Sequence, residues 1–282
     1  MLLAAAVGAA LGVAGALTQG LFRNPLADPG LIGVTSGAVC AVALTLTLFA
    51  AFASGLPTAW RPWVLPAAAF VGAMSVCLLL ERVARWLTPG SVAGLLLTGL
   101  AVNALTMAVV GLCVTIANDE QLRSLTFWTL GSLAGATWVV VAVLATALVL
   151  ALLYGRRLAS SLNALALGEA AAQHVGVDVG RLRTRLVVAI ALLSALAVAW
   201  CGLIGFIGLM APHFVRGVAG ADQRWVLPLA ALAGALLLVV ADTAARLVAI
   251  PAEVPVGILT ALIGAPAFLL LRGVARRQGG QP

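Results

Sequence analysis

The chain has 282 residues, of which 63% are hydrophobic and only 9% charged, and its mean hydropathy is +1.16. This composition excludes a soluble globular protein and predicts one embedded in a lipid bilayer. Its net charge of +7 comes from 16 basic residues, all of them arginines that stand between apolar segments without forming a basic tract, so nucleic acid is not an expected partner.

Apolar segments of the length that crosses a bilayer as a helix, about 20 residues, recur along the whole chain. They are continuous and rich in leucine, alanine and valine, which predicts helices rather than the alternating strands of an outer-membrane barrel. The predicted spans are, in chain order, 2–21, 31–53, 63–80, 92–117, 138–154, 186–215, 226–247 and 254–271. The expected fold class is an all-α polytopic membrane protein.

The sixth segment, 186–215, is too long for one crossing and too short for two complete ones. It is interrupted by Gly202, Gly205, Gly208 and Pro212. We therefore predict two shortened helices there, which gives about nine transmembrane helices in this chain.

The arginines predict the orientation of these helices. Thirteen of them fall in five stretches that nine crossings would place on one side, namely 23–30, 81–90, 155–185, 216–225 and 272–282. Because cytoplasmic loops carry an excess of arginine, these stretches are predicted to be cytoplasmic. The same topology puts Met1 outside with no basic residue before it, so we expect a late start or a lost first helix.

Residues 162–177 read LNALALGEAAAQHVGV. Polar residues and glycines interrupt this stretch, so none of its apolar runs is long enough to cross a bilayer. Gly168 suits a helix end, and Glu169 would lie in the first turn of a second helix, at the positive end of its dipole. Gly176 is placed to end that helix. The pattern predicts a bent helix pair on the cytoplasmic face that binds a soluble partner. An amphipathic loop on the lipid headgroups is the alternative.

The face predicted for that partner carries small and apolar side chains, namely Leu165, Leu167, Ala171 and Val175. The chain contains no lysine, so it cannot hold a P-loop, and no other nucleotide-binding motif replaces one. We therefore predict that the chain is not an enzyme and that a separate subunit supplies the energy.

Five motifs in order resemble the permease family of type II ABC importers. They are NPLADPGLIGV at 24–34, ALALGEAAAQHVGV at 164–177, GFIGLMAPHFVR at 205–216, ADTAARL at 241–247 and PAEVPVGILTALIGAPAFLLL at 251–271. Members of that family import ferric siderophores, haem and cobalamin through the bacterial inner membrane. The resemblance runs from Met1 to about Arg272, so residues 1–282 are expected to form a single permease domain.

The resemblance implies an assembly in the bilayer. Family permeases are homodimers with the substrate pathway on the two-fold axis, two cytoplasmic ATP-binding cassette ATPases below and a periplasmic substrate-binding protein above. They have ten helices per subunit, and this chain is expected to match the family pattern from the second helix onward. Substrate passes by alternating access without chemical change, so no cofactor and no metal site is expected in this chain.

The resemblance also implies roles for particular residues. Residues at about 156–184 match the segment that couples the permease to the ATPase, with contacts expected from Leu165, Leu167, Gly168, Glu169, Ala171, His174 and Gly176. Docking of the binding protein is expected from Arg246 and Glu253, although Glu253 fits a headgroup-level charge equally well. The span 92–117 matches the helix that lines the pathway, with candidate lining residues Thr98, Asn103 and Thr106.

Some of these motifs also have a purely structural reading. The stretch 24–30 is rich in turn residues and fits a chain reversal between two helices, with contact near the ATPase as the alternative. Asp242 and Arg246 have the spacing of an ion pair within one helix. His213, one turn from Arg216, fits a polar contact in a kinked helix better than it fits haem ligation.

Two other function classes have less support. An intramembrane enzyme lacks the GxSxG and HExxH motifs. A secondary transporter would need intramembrane acids for ion coupling, and Asp242 is the only plausible one in the predicted spans. Among ABC importer substrates we expect an iron complex, either haem or a ferric siderophore, with cobalamin as the alternative.

Overall fold

The computed structural model describes residues 1–49, 55–89, 91–248 and 254–279, and within these ranges it contains helices and turns but no strand. The helices are α1 Leu2–Phe22, α2 Val34–Thr47, α3 Arg61–Leu87, α4 Val92–Ile116, α5 Asp119–Leu130, α6 Trp138–Ala166, α7 Glu169–His174, α8 Val179–Cys201, α9 Ile207–Ala219, α10 Gln223–Val248 and α11 Val256–Gly279. For α11, side chains are described as far as Ala267. The predicted all-α fold class is confirmed.

Six helices of the described chain are long and apolar enough to cross a membrane, namely α1, α3, α4, α6, α8 and α10. The helices α2 and α9 are shorter, with 14 and 13 residues. With α11, each of the nine predicted segments contains one helix, so the chain has the expected multi-pass architecture.

Helix α1 lies at the centre of the bundle, surrounded by α6, α8, α9 and α10. It approaches α10 closely at two glycines. A Cβ added at Gly12 would lie 2.1 Å from the carbonyl oxygen of Ala230, and one added at Gly8 would lie 2.2 Å from that of Gly234. Small residues of this kind allow transmembrane helices to pack backbone against backbone. The many glycines and alanines of α1 therefore account for its central position.

The chain turns back into the protein after α1. Arg23 is exposed, but Ala27 and Ile32 are buried, and Pro29 lies against Gly208 of α9. We call residues 24–33 the re-entrant turn. The predicted chain reversal between two helices is found here, but from Ala27 onward it packs into the bundle.

A 3-10 helix, Pro29–Ile32, stabilises the re-entrant turn. The carboxylate of Asp28 accepts a hydrogen bond from the Gly30 N–H at 2.7 Å, and the thiol of Cys77 donates to the Ile32 carbonyl at 2.9 Å. Gly33 follows with a φ of 87°, which favours glycine, and α2 begins only at Val34 rather than at residue 31.

The predicted break within 186–215 is found at residues 202–206. Helix α8 ends at Cys201, Gly202 has a φ of 68°, and α9 begins at Ile207. The predicted division into two helices is confirmed, but only α9, with 13 residues, is shortened, since α8 has 23 residues. Gly208 and Pro212 do not interrupt the chain, however, because both lie inside α9.

The sequence patterns did not predict α5, which connects two spans. Asn118 and Gln121 form a capping box in which each side chain accepts a hydrogen bond from the other's backbone N–H, at 2.9 and 3.0 Å. The Asn-x-x-Gln spacing was visible in the sequence and would have indicated a helix start. The Arg123 guanidinium of α5 lies 5.9 Å from the centre of the Phe127 ring.

We expect Gly12→Ala to lower the unfolding temperature, because the added methyl group would meet the Ala230 carbonyl oxygen and overpacking costs about 1–3 kcal/mol. The matched control is Gly217→Ala on α9, where nothing lies within 4 Å of the added Cβ. Alanine should be neutral or favourable there, since it is the better helix former. Thermal unfolding of both purified variants measures the difference. Equal unfolding temperatures would contradict the tight α1–α10 packing.

Candidate functional site

The predicted coupling segment forms a short helix with a glycine on each side. Helix α7 begins at Glu169, directly after Gly168, whose φ of 119° and ψ of 155° suit glycine alone. Gly176, with a φ of 83°, follows its end. The first half of the predicted helix pair is not a separate helix, however, because α6 continues without a break to Ala166.

The side chains of this segment differ sharply in exposure. Leu167 is 81% exposed and Val175 70% exposed, so two large apolar side chains protrude from either end of α7. Leu165 is only 1% exposed, which makes its predicted surface position wrong. The reason is helical periodicity, since Leu158, Leu162 and Leu165 share the buried face of α6.

Polar contacts hold α7 in place. Glu169, in its first turn, forms an ion pair of 3.7 Å with Arg23 at the end of α1, and both side chains are partly exposed. His174 is exposed and its Nδ1 lies 2.7 Å from the Ala170 carbonyl oxygen, so it closes the last turn of the helix. Ala171 is half-buried beside the fully buried Ala172. The segment is therefore a docked element with an exposed apolar tip.

The end of α6 is joined to the start of α10. The side-chain amide of Asn163 donates to Asp222 at 2.7 Å, and its oxygen accepts from the Gln223 N–H at 3.0 Å. Hydrogen bonds from the Arg224 backbone N–H and then from Asn163 hold the pKa of Asp222 below its ordinary value, so it remains a carboxylate at neutral pH. These bonds fix the α9–α10 connection against the coupling segment.

A buried polar cluster joins the start of α8 to α3 and α4. Glu81 is 3% exposed, pairs with Arg85 at 3.0 Å and accepts a hydrogen bond from the Thr184 hydroxyl at 2.7 Å. Arg183 is also buried and donates to the Ser91 carbonyl at 3.1 Å. Sequence reasoning missed this cluster. An acid directly after an apolar span was the available signal, because such a charge requires a partner.

Helix α4 carries the three predicted pathway residues, and their hydrogen-bond partners differ. The hydroxyls of Thr98 and Thr106 bond carbonyls of their own helix, at 2.8 and 2.9 Å. The amide oxygen of Asn103 instead accepts from the Ser36 hydroxyl at 2.6 Å, and its nitrogen donates to the Gly30 carbonyl at 3.4 Å. Asn103 therefore joins α4 to the re-entrant turn and to α2.

The opposite face contains the predicted ion pair of α10. Arg246 lies 3.2 Å from Asp242, which confirms this pair. Asp242 is 4% exposed and its Oδ2 has no hydrogen-bond partner within the described part of the chain, while about two fifths of the Arg246 side chain is exposed. Both residues line a cavity of about 280 Å³ that Phe127 and Val256 also border. Glu253 lies outside the described residues.

The two faces agree with the arginine pattern. Arg23, Glu81, Asn163 and Asp222 all belong to the face that carries α7. Met1 lies on the other face, where its sulfur is 3.9 Å from the Thr243 hydroxyl. Among the described residues, no three histidine, cysteine, aspartate or glutamate side chains cluster as metal ligands would.

Comparison with known proteins decides the family. The model of the FecCD transport family matches residues 1–272. The chain belongs to the FecCD transport family. The resemblance to type II ABC importer permeases is therefore confirmed.

Relatives within the FecCD family extend over nearly all of the chain. The hemin transport system permease protein HmuU of Yersinia pestis is 44% identical, over 99% of this chain and 83% of that protein. The vitamin B12 import system permease protein BtuC of Vibrio cholerae is 42% identical, over 95% of this chain and 78% of that protein. A solved metal-chelate type ABC transporter in an inward-facing conformation is 33% identical, with a TM-score of 0.84 over 96% of this chain and 83% of that one.

FecCD proteins are the transmembrane permeases of ABC importers, and a separate ATPase subunit hydrolyses ATP. Family members work together with ATPases and substrate-binding proteins. This sequence has no nucleotide-binding motif, and in this family the separate ATPase subunit binds and hydrolyses ATP. As a FecCD protein it is a multi-pass membrane protein that imports its substrate.

Proposed function

We propose that the chain forms the homodimeric permease of an importer for an iron complex, haem or a ferric siderophore, in the bacterial inner membrane. Two cytoplasmic ATPases would bind the face that carries α7, and a periplasmic binding protein would deliver substrate to the opposite face. The observation that carries this proposal is the exposed apolar tip of α7, formed by Leu167 and Val175. Exposed apolar residues on a cytoplasmic helix are suited to a protein groove.

The contacts of the coupling segment, residues 156–184, support a mechanical role. Its start is joined to α10 through Asn163 and Asp222, and its end is joined to α3 and α4 through Thr184 and Arg183. Glu169 adds a contact to α1 through Arg23. A push on Leu167 and Val175 would therefore reach four spanning helices together. Gly168 and Gly176 border α7, the part that would move, while Ala171 and His174 would complete the surface of α7 that binds the ATPase.

We place the substrate pathway along α4. Its exposed face is apolar, with Leu97, Leu100 and Leu105 each at least 67% exposed in the single chain. A second copy facing α4 would cover this surface and enclose a largely neutral pathway between the two helices. Neutral walls suit a bulky complex that has to leave again, because strong binding would slow release. Thr98, Asn103 and Thr106 are the polar residues of this helix that we assign to the pathway.

The substrate class rests on the relatives. HmuU of Yersinia pestis is named for hemin transport, and its identity to this chain, at 44%, is slightly above that of the Vibrio cholerae vitamin B12 permease, at 42%. Haemin, a ferric hydroxamate and cobalamin should be compared in binding to the cognate periplasmic protein and in ATP-driven uptake into vesicles. We expect binding and uptake of one of the iron complexes. Uptake of cobalamin alone would overturn the iron assignment and favour the cobalamin alternative.

We expect Leu167→Asp and Val175→Asp, combined, to lower co-purification of the ATPase and ATP-driven uptake by at least about tenfold, equivalent to ~1.4 kcal/mol of lost binding. The two charges would have to be buried in the partner. The matched control is Val218→Asp near the end of α9, another exposed valine, which should leave both measurements near wild type. Normal uptake by the double variant would contradict the assignment of α7 as the ATPase-binding element.

We expect Arg246→Gln to weaken capture of the substrate-loaded binding protein by roughly fivefold, as loss of one solvent-exposed ion pair would. A neutral residue is preferred to glutamate because Asp242 lies beside it, buried. The matched control is Arg61→Gln, at the start of α3 on the same face. Pull-down with the binding protein measures both. Equal capture by the two variants would exclude Arg246 as a specific docking residue.

A further inference from the structure

Two interruptions of the spanning helices meet inside the bundle. One is the re-entrant turn, residues 24–33, and the other is the break between α8 and α9 at 202–206. Both border one cavity of about 240 Å³, next to Leu11 in the middle of α1. Non-helical backbone at membrane depth is tolerated only where it is buried in protein or lines a cavity that supplies polar partners.

Three side chains bring polar oxygens to this cavity, namely Asp28, Thr35 and Ser194. Ser194 is 2% exposed, and its hydroxyl has no hydrogen-bond partner within the described ranges. A buried hydroxyl without a partner is costly, so it points to a ligand in the cavity. The remaining lining is apolar or backbone, including Leu203 and Gly205 of the helix break.

Asp28 supplies a carboxylate to the same space. One of its oxygens accepts a hydrogen bond from the Gly30 N–H, and among the described residues no arginine or histidine forms an ion pair with it. The Asp28 carboxylate and the Thr35 hydroxyl lie next to the same point of the backbone. A Cβ added at Gly30 would lie 2.9 Å from Asp28 Oδ1 and 3.1 Å from Thr35 Oγ1. A carboxylate in the interior of a membrane protein requires a partner of opposite charge or a proton.

The C-terminal end of α8 provides a negative electrostatic potential that favours a cation in this cavity. The cavity lies beside Val198, in the last turn of this 23-residue helix, where the carbonyl groups give the helix dipole its negative end. Interrupted transmembrane helices use such carbonyl ends, together with side-chain oxygens, to bind sodium ions. One carboxylate with neutral oxygens balances a single positive charge, whereas calcium sites use several carboxylates.

We propose that this cavity binds a sodium ion, with the Asp28 carboxylate and the hydroxyls of Thr35 and Ser194 as side-chain ligands at the negative end of α8. The ion would cross-link the re-entrant turn to the α8–α9 break. Gly208, at the start of α9, contacts Pro29 at this junction, so the ion holds α9 against the turn. The site concerns the stability of the fold and does not depend on which substrate the importer carries.

The test is thermal unfolding of the purified full-length chain in sodium chloride and in choline chloride at equal ionic strength. A ligand at a hundredfold excess over its Kd should raise the unfolding temperature by about 5 °C in a chain of this size. Asp28→Asn and Ser194→Ala should each reduce this sodium-dependent shift to under about 1 °C. The matched control is Asp242→Asn, a buried acid that does not line this cavity and should keep the full shift.

Equal unfolding temperatures of the wild type in the two salts would overturn the proposal, and so would a full sodium shift in both site variants. An identical response to potassium would overturn the assignment to sodium. If Asp28→Asn does not fold, Ser194→Ala and equilibrium binding of radioactive sodium to the wild type decide the question. A pH-dependent unfolding temperature without sodium dependence would assign a proton to Asp28 and refute the ion site.

Discussion

The close approach of α1 to its neighbours is the constraint on which the rest of the structure depends. Lipid is as apolar as leucine, so helices in a bilayer gain little by burying leucine and associate through tight packing instead. Gly8 and Gly12 let α1 touch the backbone of α10, and Gly15 lies against Gly208 of α9. Because α1 occupies the centre, the other spans are arranged around it, and both interruptions of the bundle border it.

The face that carries α7 shows how a small protruding element is connected to a large membrane domain. Few polar contacts are involved, but each joins a different helix: Arg23 at α1, Asp222 at α10 and Glu81 at α3. The Glu81 contact is buried, and there a hydrogen bond is stronger than in water, whereas the contacts of Arg23 and Asp222 are at least partly exposed. Contact with an ATPase at the α7 tip would therefore be transmitted without a large buried interface of its own.

The interior of the bundle is more polar than its composition indicates. Asp28, Asn103 and Ser194 lie where helices are interrupted or where they meet the re-entrant turn. An ion-coupled transporter needs acidic residues inside the membrane, and the sequence offered only Asp242. The structure adds Asp28 as a second acid in the bundle. FecCD membership still assigns the driving force to ATP, so an ion at Asp28 would act on the fold rather than drive transport.

The sequence by itself determined the helical class, the nine spanning segments, the family and the two glycines, Gly168 and Gly176, that border the short helix α7. These are local properties, since apolar length, charge and glycine backbone freedom act along the chain. Only the tertiary structure decided that Leu165 is buried, that Asp28 lies inside the bundle and that Asn103 bonds the re-entrant turn. Those properties depend on which helices become neighbours, and an apolar sequence that suits lipid and protein equally well does not specify its neighbours.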